Sequence, residues 1–187
     1  MNHLSINLMF TPFPVLTTAR LRLRNVDQSD VHEIFFLRSD PEMMRYLDKT
    51  PVKTLMEATQ HIQKLNNLEK ANEAITWAIT WKEHEQLIGT ICFWNIHPEH
   101  YRAEIGYALH SAEQGKGIMQ EALRAVLDYG FKVMHLHSVE ANVNPDNLAS
   151  VKLLERNGFH REAYFRENYF YDGRFLDSAI YSILAPV

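Results

Sequence analysis

The chain has 187 residues, 46% hydrophobic and 22% charged, ordinary values for a globular protein, and we expect a single domain over residues 1–187. No stretch approaches the roughly 18 apolar residues of a membrane span, and a net charge of −4 argues against non-specific nucleic-acid binding. One cysteine excludes an internal disulfide, and the first residues lack the pattern of a secretion signal. We therefore expect a soluble, cytoplasmic protein that binds neither nucleic acid nor membrane.

Strand and helix signals alternate in the first part of the chain. A proline-containing lead-in over residues 1–19 precedes a segment of alternating apolar and charged residues, as in a half-exposed strand. Asp27 can cap the next helix, Asp40-Pro41 ends it, and Thr54 with Glu57 has the capping-box form. The predicted elements are a strand at Leu21–Arg24, a helix with Val31, Ile34, Phe35 and Arg38 on one face, a helical turn at Met43–Leu47, and a helix with Leu55, Ala58, Ile62 and Leu65 on one face.

Apolar residues recur at every second position from Ile75 onward, which predicts a meander of three antiparallel strands. Cys92 could act as a covalent nucleophile, but within an apolar strand we expect it to belong to the core. His97 and His100 have a spacing that metal sites use, yet the loop that holds them offers no further ligands, so we expect no metal. The three strands are Ile75–Trp81, Leu87–Trp94 and Ala103–Leu109.

The segment Gln114–Met119 lies between the third of these strands and a helical pattern over Ile118–Met134. Gly115 and Gly117 lack the Cβ atoms that keep ligands away from a backbone, and they permit dihedral angles that point successive N–H groups at one place. A helix that begins there adds unpaired N–H groups and the positive end of its dipole. The segment is therefore a candidate cradle for the phosphates of a cofactor. A glycine turn that only caps the helix is the alternative.

The glycine spacing disfavours two common phosphate loops. A Walker loop needs glycine where His110 stands and Ser or Thr where Gly117 stands. A dinucleotide fingerprint needs a third glycine at Gln120. An ATP- or NAD-binding domain is therefore the weakest of the hypotheses.

The last part of the chain shows a strand, a capped helix and a hairpin. The strand Val139–Val143 leads through Asn144-Pro145-Asp146 into a helix that Asp146 or Asn147 caps and that ends at Gly158. Asp172-Gly173 is a hairpin signal. The strands that it joins are expected at about Tyr164–Tyr171 and Arg174–Leu184.

Three stretches in this order share features with one family: Thr17–Arg24, Gly115-Lys116-Gly117 and Asn142–Phe159. They resemble the opening, the pyrophosphate loop and the strand-turn-helix with a Gly-Phe ending of the GNAT superfamily of N-acetyltransferases, in the branch that includes ribosomal-protein N-terminal acetyltransferases. Ala19 departs from that branch, which has Glu there. Ala112 departs from the loop pattern, which has Gln or Arg, and this change removes a side-chain contact while leaving the backbone donors.

The resemblance, which covers residues 15–184, implies an α/β (α+β) fold. The expected GNAT fold is a bent, mixed, mostly antiparallel sheet of about seven strands flanked by about four helices, with middle strands that splay apart. Acetyl-CoA is then the cosubstrate, and its pantetheine arm inserts between the splayed strands. The cofactor-binding residues that the resemblance implies are Leu109, Gln114, Gly115, Lys116, Gly117, Ile118, Met119, Asn142, Asn147 and Ser150.

Acetyl transfer to an amine needs a base, because a protonated amine cannot attack. Strand alternation places Glu104 on one face with Gly106 and Ala108, beside the expected thioester, which makes Glu104 the first candidate. A surface or ion-paired glutamate is the alternative at this position. Glu162 is the second candidate base, by its position in the ribosomal-protein branch.

The reaction also needs a donor to the oxyanion and a proton for the departing thiolate. Backbone N–H groups near Leu109 and His110 are candidates for the first role. The resemblance implies Ser150 for the second, with a purely structural helix serine as the alternative.

The leading hypothesis is an N-acetyltransferase that moves the acetyl group of acetyl-CoA to a protein N-terminus, with a ribosomal protein as partner, by direct attack in a ternary complex. A polyamine or aminoglycoside acceptor, or a non-catalytic acyl-CoA-binding module, is the alternative. The variable segments near Met43–Leu68 and Tyr164–Tyr171 are expected to build the acceptor pocket. Monomer and homodimer remain open.

Overall fold

Eight β-strands and five α-helices build residues 5–186, the part of the chain that the computed structural model describes. Residues 1–4 and 187 of the predicted domain lie outside this part. The strands are β1 (Leu16–Thr17), β2 (Leu21–Asn25), β3 (Ile75–Trp81), β4 (Leu87–His97), β5 (Arg102–Leu109), β6 (Ser138–Val143), β7 (His160–Tyr171) and β8 (Arg174–Leu184). The helices are α1 (Val31–Ser39), α2 (Pro41–Met44), α3 (Leu55–Lys70), α4 (Ile118–Lys132) and α5 (Leu148–Arg156).

All eight strands form one mixed sheet in the order β1-β2-β3-β4-β5-β6-β8-β7. Only β5 and β6 run parallel among these neighbours, and the predicted meander of β3, β4 and β5 is confirmed. The strand and helix counts exceed the expected seven and four by one each, since β1 has two residues and α2 is a single turn. The helical turn predicted at Met43–Leu47 lies earlier, at Pro41–Met44, because Asp40 caps it and Pro41 opens it. A strand as short as β1 gives almost no periodicity in a sequence.

Helices cover both faces of the sheet. On one face, α4 and α5 bury their apolar stripes against alternate strand residues such as Trp77, Ile91 and Phe93. On the other face, α1 and α3 pack on Ala78 through a smaller cluster that includes Ile34 and Ile62. We name these the α4/α5 face and the α1/α3 face. The two predicted rows of α4 are all buried, which confirms its packing: Ile118, Ala122, Val126, Met119, Leu123 and Leu127.

The sheet divides between β5 and β6. These strands pair at only three positions, of which the last joins Glu104 to Glu140, whereas the other edge of β5 pairs with β4 as far as Leu109. Beyond Glu104 the two strands diverge and leave a gap with exposed backbone edges. The splayed middle strands that the resemblance implied are therefore present.

Several element boundaries differ from the prediction. The strand expected to end at Trp94 continues to His97, because Asn95 adopts a φ of +46° and the ladder shifts register there. The strand expected from Tyr164 begins at His160, directly after the buried Phe159. Helix α4 ends two residues before the predicted Met134.

The helix caps also differ in detail. Asp27 caps a short 3-10 turn at Gln28–Asp30 that precedes α1, so it does not cap α1 itself. Thr54 caps α3 as predicted, but Glu57 reaches back to the N–H of Lys53 at 2.7 Å instead of closing a capping box on Thr54. At α5 the cap is Asn147, which decides between the two predicted residues.

Candidate active site

The glycine loop, residues Gln114–Gly117, joins β5 to α4. Gly115 and Gly117 adopt φ angles of +74° and +73°, in the left-handed region that disfavours side chains. The N–H of Gln114 donates to Ser111, so this predicted donor is already used inside the loop. The N–H groups of Gly115 to Met119 have no such partner among residues 5–186, and the last of them open α4. The loop therefore presents a row of free donors at the positive end of a helix dipole.

Arg20 supports this loop from the turn before β2, a contact that the sequence patterns did not indicate. Its Nη1 donates to the carbonyl oxygen of Lys116 at 3.1 Å, and its Nε pairs with Glu121 at 2.7 Å. Thr18 donates a further hydrogen bond to Glu121 at 2.6 Å. A groove of about 520 Å³ beside the loop is lined by Arg20 and Arg124. Arg20 thus supplies positive charge near the loop, where Ala112 offers none.

The gap between β5 and β6 receives backbone N–H groups from one side. The N–H of His110 donates to Ile88 at 2.9 Å, on the β4 side, so the predicted role of this group as an oxyanion donor is wrong. Because N–H groups alternate in direction along a strand, those of Tyr107 and Leu109 point the other way, into the gap. The carbonyl of Leu109 accepts a hydrogen bond from the side chain of Gln114 at 3.1 Å.

Ser150 and Tyr107 meet on the α4/α5 face of this gap. Their hydroxyl oxygens are 2.6 Å apart, and burial raises the pKa of Tyr107 to about 12, so its hydroxyl stays protonated at neutral pH. Asn147 accepts a hydrogen bond from the N–H of Ser150 at 3.1 Å and thereby fixes the first turn of α5. Tyr107 is a site residue that the sequence patterns did not reveal.

Glu104 stands on the opposite, α1/α3 face, at the point where the gap begins. Only 9% of this residue is exposed, and burial raises the pKa of its carboxyl group. The Asn95 side chain, at 3.5 Å, and the charge of Lys49 act in the other direction. A buried carboxylate with a raised pKa has the properties of a general base.

Glu162 lies on an exposed bulge of β7, where it accepts a hydrogen bond from Ser182 at 2.5 Å. In the sheet order, β6 and β8 separate its strand from β5, which puts it roughly 14 Å from Glu104. The structure therefore does not bring the two predicted bases together. Asn142 is exposed on β6, on the same face as Glu104.

The surface of the α1/α3 face beside Glu104, which includes Cys92 and Trp94, is partly open. We call this surface the floor. Cys92, expected in the core, is half-buried there and belongs to neither apolar cluster. Its desolvation raises the pKa of the thiol to about 11, which disfavours a thiolate nucleophile. Trp94 is 41% exposed on the same floor, and the ammonium group of Lys49 lies 5.2 Å from the centre of its ring.

The β7–β8 hairpin closes this floor from one side. The hydroxyl of Tyr169 donates to the carboxylate of Asp48, and that of Tyr171 donates to the carbonyl of Lys49 at 2.7 Å. The segment after α2 and the hairpin thus contact each other and form one wall; that they build the acceptor pocket stays a prediction. Within residues 5–186 no group of three or more His, Cys, Asp and Glu side chains could hold a metal. None of the helices described for this range is long and apolar enough to cross a bilayer.

A gap in the sheet, a loop of free backbone N–H groups beside it and a buried carboxylate at its edge match the arrangement expected of an acyltransferase of the GNAT fold. The profile of the acetyltransferase (GNAT) domain matches residues 20–160, and the chain therefore belongs to this family. It is 37% identical over 169 residues to the uncharacterized N-acetyltransferase p20 of Bacillus licheniformis, which covers 90% of this chain and 95% of that protein.

Other relatives carry more specific names. The chain is 33% identical over 99 residues to the [ribosomal protein uS5]-alanine N-acetyltransferase of Escherichia coli, over 52% of this chain and 51% of that protein. RimL, a ribosomal L7/L12 α-N-protein acetyltransferase solved with coenzyme A, matches with a TM-score of 0.83 at 25% identity, over 91% and 98% of the two chains. Spermidine N-acetyltransferase of Vibrio cholerae, solved with CoA and spermine, matches with a TM-score of 0.80 at 26% identity. The match covers 90% of this chain and 97% of that chain.

Proposed function

We propose that this N-acetyltransferase transfers the acetyl group of acetyl-CoA to the α-amine of a protein N-terminus, with a ribosomal protein as acceptor. One observation carries the proposal: a candidate base and a candidate proton donor stand on opposite faces of the same gap in the sheet. A ribosomal acceptor fits the names of the RimL and uS5 relatives. It also places the reaction in the cytoplasm.

The glycine loop holds the pyrophosphate of acetyl-CoA through the N–H groups of Gly115 to Met119. From the loop to Glu104, β5 provides about 17 Å of extended backbone, since a strand rises about 3.3 Å per residue. The N–H groups of Tyr107 and Leu109 bind the pantetheine arm along this edge. The acetyl group then lies near the start of the gap.

Glu104 accepts the proton of the attacking amine, directly or through one water molecule. An α-amine has a pKa near 8, so a base with a raised pKa is sufficient for it at neutral pH. The amine nitrogen bonds to the acetyl carbon, and the carbon–sulfur bond breaks in the same transfer. No covalent intermediate on Cys92 is involved, because its thiol stays protonated.

Ser150 donates a proton to the departing thiolate on the α4/α5 face. Its hydroxyl is a weak acid by itself, but the hydrogen bond to Tyr107 lets the tyrosine replace the proton as it leaves. Thus the amine proton leaves on one face while the thiolate receives a proton on the other. Tyr107 acts through Ser150 and is a positioning residue.

The test is the release of free thiol from acetyl-CoA against N-terminal peptides, lysine peptides, polyamines and aminoglycosides. We expect turnover with peptides that have a free α-amine and little or none with the same peptides blocked at that amine. Mass spectrometry of the product locates the acetyl group. A matched peptide with a blocked α-amine and a free lysine is the control for side-chain acetylation.

Two outcomes contradict the proposal. Turnover confined to polyamines or aminoglycosides would assign a small-amine acceptor. Binding of CoA without turnover of any acceptor in the panel would indicate an acyl-CoA-binding module.

A further inference from the structure

Arg38 forms no ion pair with a carboxylate of residues 5–186, and it is partly buried, whereas the other arginines that share this feature are exposed. Arg20, Arg24 and Arg102, by contrast, each pair with an acidic side chain. The Nε of Arg38 is buried and lacks a hydrogen-bond partner within the same residues. The Nε of Arg24 is buried in the same way, but that guanidinium pairs with Asp30. A partly buried cation with no counter-charge costs stability, which points to a functional reason for Arg38.

The position of Arg38 directs it toward the open floor of the α1/α3 face. It lies one helical turn after the buried Ile34, on the side of α1 that packs toward the sheet. Its charge acts on Cys92, whose sulfur borders Gly106 on that floor. Cys92 and Glu104 are diagonal neighbours across β4 and β5, which places their Cα atoms about 7–8 Å apart.

Two cations at this floor, Arg38 and Lys49, form no ion pair with a carboxylate of residues 5–186. Lys49 lies over Trp94, and its charge acts on both Glu104 and Cys92. His61 on α3 stays neutral, because burial and the charge of Arg38 lower its pKa to about 4. Asp48, the acidic neighbour of Lys49, is already engaged by a tyrosine hydroxyl of the hairpin. Glu140, the register partner of Glu104 on β6, shares this face but is paired with Arg102, so among residues 5–186 the candidate base is the carboxylate there that has no ion pair.

We infer that the acceptor carries an acidic group close to its reactive amine, and that the guanidinium of Arg38 binds this group while Glu104 faces the amine. The inference rests on the proposed function and names the class of N-terminus: one with aspartate or glutamate at its second or third position. One residue of extended peptide spans about 3.5 Å, so such a side chain reaches from Glu104 to the region of Arg38. A polycationic acceptor would instead be repelled there by two cations, Arg38 and Lys49.

The experiment compares peptides that share alanine at the first position and differ only in aspartate, asparagine or lysine at the second or third position. For the native protein we expect kcat/KM for the best aspartate peptide to exceed that of its asparagine twin by about ten-fold or more, as for a charge-assisted hydrogen bond. Arg38→Met should reduce this ratio to about one, and Arg38→Lys should retain part of it. Arg22→Met, the same change at an exposed ion pair, is the control and should leave the ratio unchanged.

Thermal melting separates this role from a structural one. Arg38→Met removes a buried unpaired charge, so its melting temperature should equal or exceed that of the native protein. A lower melting temperature together with an equal loss for every peptide would assign Arg38 a structural role and overturn the inference. Equal rates for aspartate and asparagine peptides in the native protein would also overturn it.

Failure of the proposed function can be distinguished from failure of the inference about Arg38. If no peptide is turned over, that function is wrong, and the inference is then decided by calorimetric binding of the aspartate and asparagine peptides to the CoA-bound protein. Preferential binding of the aspartate peptide that Arg38→Met abolishes supports the inference. Equal binding of the two peptides, or none, contradicts it.

Discussion

In the proposed function, the two ends of the gap between β5 and β6 use different chemistry. At the glycine loop, recognition depends on main-chain N–H groups and on two positive φ angles, and side chains contribute mainly support, as Arg20 does. At the α1/α3 face, recognition depends on side chains: a buried carboxylate, an unpaired guanidinium and an exposed indole. A main-chain site tolerates sequence change as long as the backbone keeps its shape, whereas a side-chain site changes its ligand with one substitution. The first suits an invariant cosubstrate and the second a variable acceptor.

The largest effect is expected for Glu104→Gln, which leaves the shape of the α1/α3 face intact and removes its base. We expect kcat/KM to fall about a hundred-fold or more, the usual contribution of a general base. Because only the deprotonated carboxylate accepts a proton and its pKa is raised, native activity should decline on acidification at a higher pH than an ordinary glutamate would give. A pH–rate profile checks this: the part of the acidic limb that Glu104 causes should disappear in the variant, and the part caused by protonation of the amine should remain.

Glu162→Gln is the matched control for that substitution. It should leave kcat/KM within about three-fold of the native value, because the Glu162 side chain is exposed and two strands, β6 and β8, lie between its strand and β5. A larger loss in this variant than in Glu104→Gln would transfer the base to β7 and break the proposed division of roles.

The next effect concerns the main-chain end. Gly117→Val places a β-branched residue at a φ of +73°, which costs on the order of 1–3 kcal/mol of strain, so we expect KM for acetyl-CoA to rise about ten-fold or more. Gly117→Asn should do less harm, since asparagine tolerates the left-handed region. Lys116→Met should change KM by less than about three-fold if the backbone is the binding element. Steady-state kinetics at varied acetyl-CoA distinguish the three, and a Lys116→Met effect as large as that of Gly117→Val would contradict the comparison.

The smallest effect is expected where the two ends meet, at the Tyr107–Ser150 hydrogen bond. Tyr107→Phe keeps the packing and removes the hydroxyl. We expect kcat to fall about five-fold, with little change in the KM for acetyl-CoA or in the KM for the acceptor. If the two hydroxyls act as a unit, the double variant with Ser150→Ala should be no slower than the slower single variant. Fully additive losses would show that they act independently.

Local patterns in the sequence predicted much of the main-chain end. Alternation located β3 to β5, and two glycines one residue apart predicted the conformation of the loop that the structure shows. The face of Glu104 also followed from alternation, because side chains of a regular strand keep strict sides. These features depend on residues that are neighbours in the chain.

The side-chain end depends on contacts between distant parts of the chain, and the sequence did not reveal it. Tyr107 and Ser150 are 43 positions apart, and Tyr169 and Asp48 are 121 apart. The isolation of Arg38 follows only from how α1 packs on the sheet, since a helix pattern shows the side a residue faces and not the charges across from it. Both β4 and β7 contain bulges, and alternation alone misplaced one limit of each strand. It placed the end of β4 too early and the start of β7 too late.

The strand order has a consequence for how the molecule assembles. β7 precedes β8 in the chain but reaches the sheet only through it, because β8 lies between β6 and β7. The hairpin must therefore form, and its second strand must dock, before Tyr169 can meet Asp48. Long-range pairings of this kind form slowly, while the β3–β5 meander is local in the chain. The wall, whose Tyr169–Asp48 contact joins residues 121 positions apart, is therefore expected to form late in folding.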